Sequence, residues 1–179
     1  RSYQPIPEVN ISAIEEAAKL INQAKKPYAL VGQGVILGGA EKELLAFLEK
    51  AGVPAASTVL GLSAVPTDHP LHVGMLGMHG NLGPNKKTNE CDVLIAIGMR
   101  FDDRVTGDLK TYAKQAKVIH FDIDPAEIDK NVYAHVKVLG DAKETLAAVT
   151  EKIEKNSHQE WLQEFRACDQ REYDAVIKH

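Results

Sequence analysis

The densest group of charged side chains that could do chemistry lies in ten residues, 98–107: Arg100, Asp102, Asp103 and Arg104. These residues directly follow the apolar run 93–97, which reads as a buried strand. Guanidinium groups bind phosphate or carboxylate in a bidentate way. The two aspartates could orient the arginines or accept hydrogen bonds from sugar hydroxyls. The loop is therefore a candidate anion site, and the alternative is a self-satisfied surface network of ion pairs.

A glycine-rich segment, 32–39, follows another apolar run, and Gly32, Gln33 and Gly34 come first in it. Glycines let backbone N–H groups approach a phosphate, and the spacing is one residue longer than the dinucleotide fingerprint. A tight strand-to-helix turn is the equally plausible alternative. The next strand ends in Ser57, Thr58 and Val59 without the acid that an NAD ribose needs. This disfavours NAD, although Thr58 could bond another ligand.

Three further strand ends carry candidate ligand contacts. Leu76, Gly77, Met78 and His79 form a backbone that could lie flat against a planar ring, although a lone loop histidine is more often a surface residue. Acids follow the later strands at Asp122, Asp124 and Asp141, where they could bind hydroxyl groups or cap helices. No histidine, cysteine or carboxylate set has the spacing of a metal site, so we expect no metal.

The elements that must position these loops alternate between apolar strands and amphipathic helices. Strands are predicted at 28–31, 53–58, 72–75, 93–97, 118–123 and 136–139, and helices at 11–25, 40–51, 111–115, 125–130, 142–155 and from 157. Residues 32–39 are predicted as a loop, 61–89 as mostly irregular, and Ser12 and Ser157 as helix caps. The pattern predicts an α/β fold, with a doubly wound, mainly parallel sheet of five or six strands and helices on both faces. Ligands bind such sheets at the carboxyl ends of the strands.

Composition limits the classes of function. The 179 residues are enough for one domain, 44% are hydrophobic, and the net charge is −4. An acidic chain lacks the basic surface of a nucleic-acid protein, and no apolar run suits a membrane span, so neither partner is expected. Two cysteines are too few for a disulfide scaffold, which indicates a cytoplasmic protein. The first residue is Arg1, so we expect a piece of a longer protein.

Taken together, these loops resemble the central domain of the acetohydroxyacid synthase (acetolactate synthase) large subunit, in the thiamine-diphosphate enzyme family. The resemblance runs over almost the whole chain. It is strongest at residues 77–80, in the loop 98–107 and at residues 140–142. It implies a DHS-like NAD/FAD-binding domain that binds FAD. By position, the implied FAD contacts are Gly32, Gln33, Gly34, Thr58, Val59, Leu76, Gly77, Met78, His79, Gly98, Arg100, Asp102, Arg104, Val105, Asp122, Ile123, Asp141 and Ala142.

The resemblance also implies the setting of this domain. Asp103 and Arg104 would lie on the path of the substrate to the active site. The whole enzyme would condense two 2-keto acids with loss of carbon dioxide, for the synthesis of branched-chain amino acids. Thiamine diphosphate and Mg²⁺ would be bound by flanking domains, because the Gly-Asp-Gly and Asn-Asn motifs are absent here. No catalytic residue is expected in this chain, and the chain alone should be inactive.

The implied organisation is a linker at 1–10, an FAD-binding central domain at 11–156, and an exit helix at 157–179 that leads to a thiamine-diphosphate domain. The exit helix could equally pack on this domain. A homodimer of large subunits and a regulatory small subunit are the implied partners. The alternatives are the middle domain of a pyruvate oxidase or decarboxylase, and a stand-alone NAD-binding or sirtuin-like module.

Overall fold

Six parallel strands form one sheet at the centre of the molecule. A computed structural model describes residues 6–178, except for the side chain of Ile177, so half of the predicted linker at 1–10 lies outside the described residues. The strands are β1 (Pro27–Val31), β2 (Ala55–Ser57), β3 (His72–Met75), β4 (Val93–Ile97), β5 (Lys117–Asp122) and β6 (Val136–Leu139). Their order across the sheet is β3-β2-β1-β4-β5-β6, and every pairing is parallel. The predicted fold class is confirmed.

Seven helices surround the sheet within the described residues. They are α1 (Ile11–Gln23), α2 (Gln33–Leu37), α3 (Glu41–Ala51), α4 (Leu82–Lys87), α5 (Asp103–Thr106), α6 (Ala142–Lys152) and α7 (Gln159–Glu172). A 3₁₀ turn covers Val59–Gly61, and a π-helical turn, Tyr173–Ile177, follows α7. Between residues 6 and 178, no helix combines the length and apolar character that crossing a bilayer requires.

The strand order fixes where a ligand can bind. From β1 the chain builds outwards through β2 to β3, and it then returns to place β4 on the other side of β1. The connection from β1 to β2 and the connection from β4 to β5 therefore run in opposite directions from the carboxyl edge of the sheet. In doubly wound sheets, this divergence opens the crevice in which ligands bind.

The two faces of the sheet bury different kinds of side chain. Helices α1, α3 and α6 cover one face with aliphatic residues and Phe47. The other face is covered by α4, α7 and the segment 99–116, and it contains most of the buried aromatic rings. On α7, Trp161, Phe165 and Cys168 are buried as one stripe, and the Trp161 indole N–H donates to the Pro27 carbonyl at 2.8 Å. Helix α7 therefore packs against this domain.

Several local predictions are wrong. The segments 111–115 and 125–130 are turns, whereas the predicted loop 32–39 contains α2 and the predicted irregular region contains α4. Asn10 caps α1 in place of Ser12, because its side chain accepts from the Ala13 N–H. Helix α7 begins at Gln159 and has no side-chain cap.

Candidate functional site

A crevice of about 880 Å³ lies at the carboxyl edge of the sheet, across the divergence between β1 and β4. Its volume falls in the upper part of the range of roughly 300–1,000 Å³ that is typical of cofactor sites. Loops that follow all six strands contribute to its lining. The position of the site is therefore set by strand order, and its chemistry by the loops.

The loops after β1 and β4 touch through glycines. The Gly34 N–H donates to the Gly98 carbonyl at 2.9 Å, and the Gly32 N–H donates to the Ile97 carbonyl at 3.0 Å. A Cβ at Gly34 would lie 2.7 Å from Gly98 Cα, and Gly98 has a φ of +58°, so both positions require glycine. Because these two N–H groups already have backbone acceptors, the glycines serve close loop packing in this conformation, as the tight-turn alternative predicts.

Two arginines lie on one side of the crevice without a carboxylate partner. Arg100 and Arg104 are exposed and line the crevice, and neither has a carboxylate within 4.0 Å among the described residues. Asp102 instead caps α5, because its Oδ1 accepts from the Val105 N–H at 3.2 Å. The predicted alternative of a surface ion-pair network is therefore wrong for these arginines, whose charge is available to an anionic ligand.

Carboxylates lie on the other side of the crevice. Asp122 Oδ1 accepts from the Asp124 N–H at 2.9 Å, and Asp141 Oδ1 caps α6 by accepting from the Lys143 N–H at 2.9 Å. The Nε2 atom of the fully buried His120 lies 3.0 Å from the Met99 carbonyl oxygen and 3.4 Å from Asp122 Oδ2. Since a carbonyl oxygen only accepts, this nitrogen carries the proton. His120 thus lies between two lining residues from different loops.

Exposed apolar side chains lie around the opening. Leu37, Val59, Leu60 and Met78 line the crevice, and each is at least 59% exposed. Large apolar groups that are exposed together are typical of binding surfaces. The crevice therefore combines apolar surface that suits a flat ring, arginines that suit an anion, and carboxylates that suit hydroxyl groups.

The structure brings the predicted contact residues together, except for Gly32, which lies beneath the loop at 98–99 and is not part of the lining. Asp103, which was predicted on the substrate path, is exposed outside the lining. Sequence reasoning did not select several lining residues: Leu37, Gly38, Leu60, Met75, Met99, Phe121, Glu127 and Gly140. The end of α2, which holds Leu37 and Gly38, was missed because that segment was predicted as a loop. Over residues 6–178, His, Cys, Asp and Glu side chains form no group of three that could hold a metal ion.

The fold and the crevice define a doubly wound α/β domain with a cofactor-sized site at its switch point. Residues 14–149 match the model of the thiamine pyrophosphate enzyme central domain, and the chain belongs to this family. It is 47% identical over 164 residues to the probable acetolactate synthase large subunit of Methanocaldococcus jannaschii, with 90% of this chain and 28% of that protein covered.

Two other relatives give the same result. The acetolactate synthase large subunit of Corynebacterium glutamicum is 47% identical over 165 residues, which cover 89% of this chain and 26% of that protein. The isozyme 2 large subunit of Escherichia coli is 44% identical over 161 residues, with 90% and 29% covered. The resemblance found in the sequence is confirmed, and the chain spans little more than a quarter of the length of these relatives.

Proposed function

We propose that the crevice binds FAD, in the central domain of an acetolactate synthase large subunit. The observation that carries the proposal is the pair Arg100 and Arg104, which line a cofactor-sized crevice and have no carboxylate partner among residues 6–178. The diphosphate of FAD has the charge that two such guanidinium groups bind best. Relatives that are named acetolactate synthase support the choice of enzyme.

The lining suits the other parts of the cofactor. Leu60, Leu76 and Met78 provide apolar surface for a planar ring. Asp122 and Asp141 provide acceptors for ribityl and ribose hydroxyls. Bound FAD would supply its flavin ring, and the family resemblance implies that this ring undergoes no net redox change in the main reaction. The work of this chain is to bind and orient that cofactor, and Asp103 with Arg104 would face the substrate path in the whole protein.

The activity of the whole protein follows from its relatives as part of the same proposal. The enzyme would join two 2-keto acids, pyruvate with pyruvate or 2-ketobutyrate, and release carbon dioxide. Thiamine diphosphate and Mg²⁺ would be held by domains on either side of residues 11–156, and the exit helix would lead to one of them. A homodimer of large subunits, a regulatory small subunit and a cytoplasmic location complete the proposal. The chain alone would form no acetolactate.

A titration of the purified chain tests the proposed cofactor. We expect saturable quenching of FAD fluorescence, and no heat of binding when NAD is titrated under the same conditions. NAD is disfavoured because β2 ends at Ser57 and is followed by Thr58 and Val59, so no acid is available there for its ribose. Saturable NAD binding without any flavin effect would contradict the proposal and favour an NAD module. Electron transfer from the loaded whole enzyme to an external acceptor would instead favour a pyruvate oxidase.

A further inference from the structure

Asn81, at the N-cap of α4, and Asn85, one turn later, contact the segment that forms one wall of the crevice, residues 76–79, and the strand end before it. Asn81 stands at the N-cap position of α4, where an asparagine ordinarily caps its own helix. Its Oδ1 instead accepts from the Met75 N–H at 3.0 Å, and Glu172 of α7 accepts from the Leu82 N–H at 3.3 Å. The cap of α4 is thus supplied from elsewhere, while Asn81 is directed to the end of β3.

Asn85 makes a more specific contact. Its Oδ1 accepts from the Gly77 N–H at 2.8 Å, and its Nδ2 donates to the Gly77 carbonyl at 2.8 Å. One amide side chain therefore satisfies both backbone groups of a residue with a φ of +105°. Together with the bond from the Gly80 N–H to the Gly77 carbonyl at 2.9 Å, this pair of bonds holds the two peptide planes on either side of Gly77 and so the directions of Leu76 and Met78.

The contact has little to contribute to global stability. Asn85 is exposed, and water can replace both of its hydrogen bonds when the chain unfolds. The neighbouring Met78 N–H donates to the Arg104 carbonyl at 2.8 Å, so residues 76–79 are also bonded to the loop that carries Arg100 and Arg104. A rigid attachment of the wall thus fixes two sides of the crevice relative to each other.

We propose that Asn85, supported by Asn81, is a positioning residue that fixes the 76–79 wall in the conformation that accepts the planar ring of the cofactor. The inference rests on the proposed function, since the ring is that of FAD. Asn85 itself lies behind the wall, outside the crevice lining, and acts through Gly77.

The first measurement needs no cofactor. Asn85→Ala removes both bonds, and Asn85→Asp places a carboxylate oxygen against the Gly77 carbonyl, so that two acceptors face each other. In Asn85→Ala, which removes the acceptor of the Gly77 N–H, the amide hydrogen of Gly77 should exchange about threefold to tenfold faster. Asn85→Asp keeps an acceptor for that N–H and loses the bond to the Gly77 carbonyl, so its exchange should change less. The matched control is Asn89→Asp, because Asn89 is also exposed and its Oδ1 only accepts, from the Ala113 N–H at 2.7 Å. The control should leave Gly77 exchange unchanged, and the urea midpoint should be the same in all variants.

The second measurement uses FAD. We expect the dissociation constant to rise about fivefold to thirtyfold in both Asn85 variants, and to stay within about twofold in the control. At saturating FAD, the visible circular dichroism of the bound flavin should also change, which a simple loss of stability would not produce. Unchanged Gly77 exchange in Asn85→Ala overturns the inference. So does faster exchange with unchanged FAD affinity and spectrum.

The two proposals fail in different ways. If the unmodified chain binds no FAD, the proposed cofactor is wrong and, with it, the positioning of a flavin. Faster Gly77 exchange in that case would still show that Asn85 holds the 76–79 wall through Gly77. Unchanged exchange would show that it does not.

Discussion

Helices α1, α3 and α6 bury one face of the sheet, and α4, α7 and the segment 99–116 bury the other. The first cluster is built from aliphatic side chains with Phe47 and Phe121. The second contains Tyr28, Trp161 and Phe165, and buried Lys87 and Thr88 lie beside it. On the second face the Tyr28 hydroxyl donates to the Pro84 carbonyl at 3.0 Å, and Thr88 Oγ1 donates to the same carbonyl at 2.9 Å.

The difference shows two ways of covering a parallel sheet. The first face depends on apolar area, which is not directional and tolerates shifts of a helix. The second also buries apolar area, and it adds hydrogen bonds that fix the positions of α4 and α7. Since α4 also carries Asn81 and Asn85, the directional face is the one that holds the crevice wall. Both faces bury apolar area, and the hydrogen bonds of the second face also fix the position of α4.

The largest expected effect is on the aliphatic face. Phe47 is fully buried in α3, and Phe47→Ala should lower the free energy of unfolding by about 3–5 kcal/mol, because it removes buried area and leaves a cavity. Urea unfolding measures this loss. Leu45→Ala is the control, since Leu45 is only partly buried in the same helix. A loss for Phe47→Ala no larger than that of the control would mean that this face is not held by its buried area.

The next largest effect on stability is expected on the second face, which α4, α7 and the segment 99–116 cover and which we call the bonded face. Lys87 is 5% exposed, and its ammonium group lies 2.6 Å from Glu90 Oε2 and 2.9 Å from Glu164 Oε2. Lys87→Met removes the nearest cation of both carboxylates, which keep only the longer contacts of Lys26 with Glu164 at 3.5 Å and of Lys86 with Glu90 at 3.8 Å. We expect a loss of about 1–3 kcal/mol. Lys86→Met removes an exposed lysine one residue earlier and should change stability by less than about 0.5 kcal/mol.

The loss of stability in Lys87→Met should depend on pH. The hydrogen bond from Lys87 holds the pKa of Glu164 below its usual value. A carboxyl group with a lowered folded-state pKa adds stability above its unfolded-state pKa, and that stability is lost as the pH falls through the folded-state pKa. The difference between the unmodified chain and Lys87→Met should therefore be full near neutral pH and should shrink in acid. A difference that is constant with pH would show that Lys87 contributes by packing alone.

The sequence predicted the aliphatic face better than the bonded one. Helices α1, α3 and α6 lie where apolar periodicity placed them, and β4 and β6 have the predicted bounds. The segments 111–115 and 125–130 are turns instead of helices. Ala113 has a φ of +48°, and its N–H donates to the Asn89 side chain. Asp129 has a φ of +60° and accepts from the Ala134 N–H. Such bonds between a side chain and the backbone leave no periodic signal in the sequence.

The residues of the candidate site were also predicted only in part. Strand ends and their loops predicted which residues meet, because the carboxyl ends of parallel strands share one edge. The asparagines behind the wall were not selected, since α4 is six residues long and includes Gly83 and Pro84, which gave no helical pattern. Residues that line a site follow from topology, whereas residues that support it follow from individual bonds.

The smallest expected effect on stability comes from the arginines of the crevice. Arg100 and Arg104 are exposed, and neither belongs to a buried cluster of either face. Arg100→Ala and Arg104→Ala should each change the free energy of unfolding by less than about 0.5 kcal/mol. Each should nevertheless weaken FAD binding by about tenfold, through the loss of a charge-assisted hydrogen bond to the diphosphate.

Arg171→Ala is the matched control, because Arg171 is an exposed arginine in the last turn of α7 and lies outside the crevice lining. It should leave FAD affinity unchanged. Added salt should weaken FAD binding to the unmodified chain more than to either crevice variant, since screening acts on the charge that the variant has lost. If the crevice variants and the control bound FAD equally, the cationic side would not hold the diphosphate. The affinity would then have to come from the apolar wall, which is the part of the crevice that depends on the bonded face.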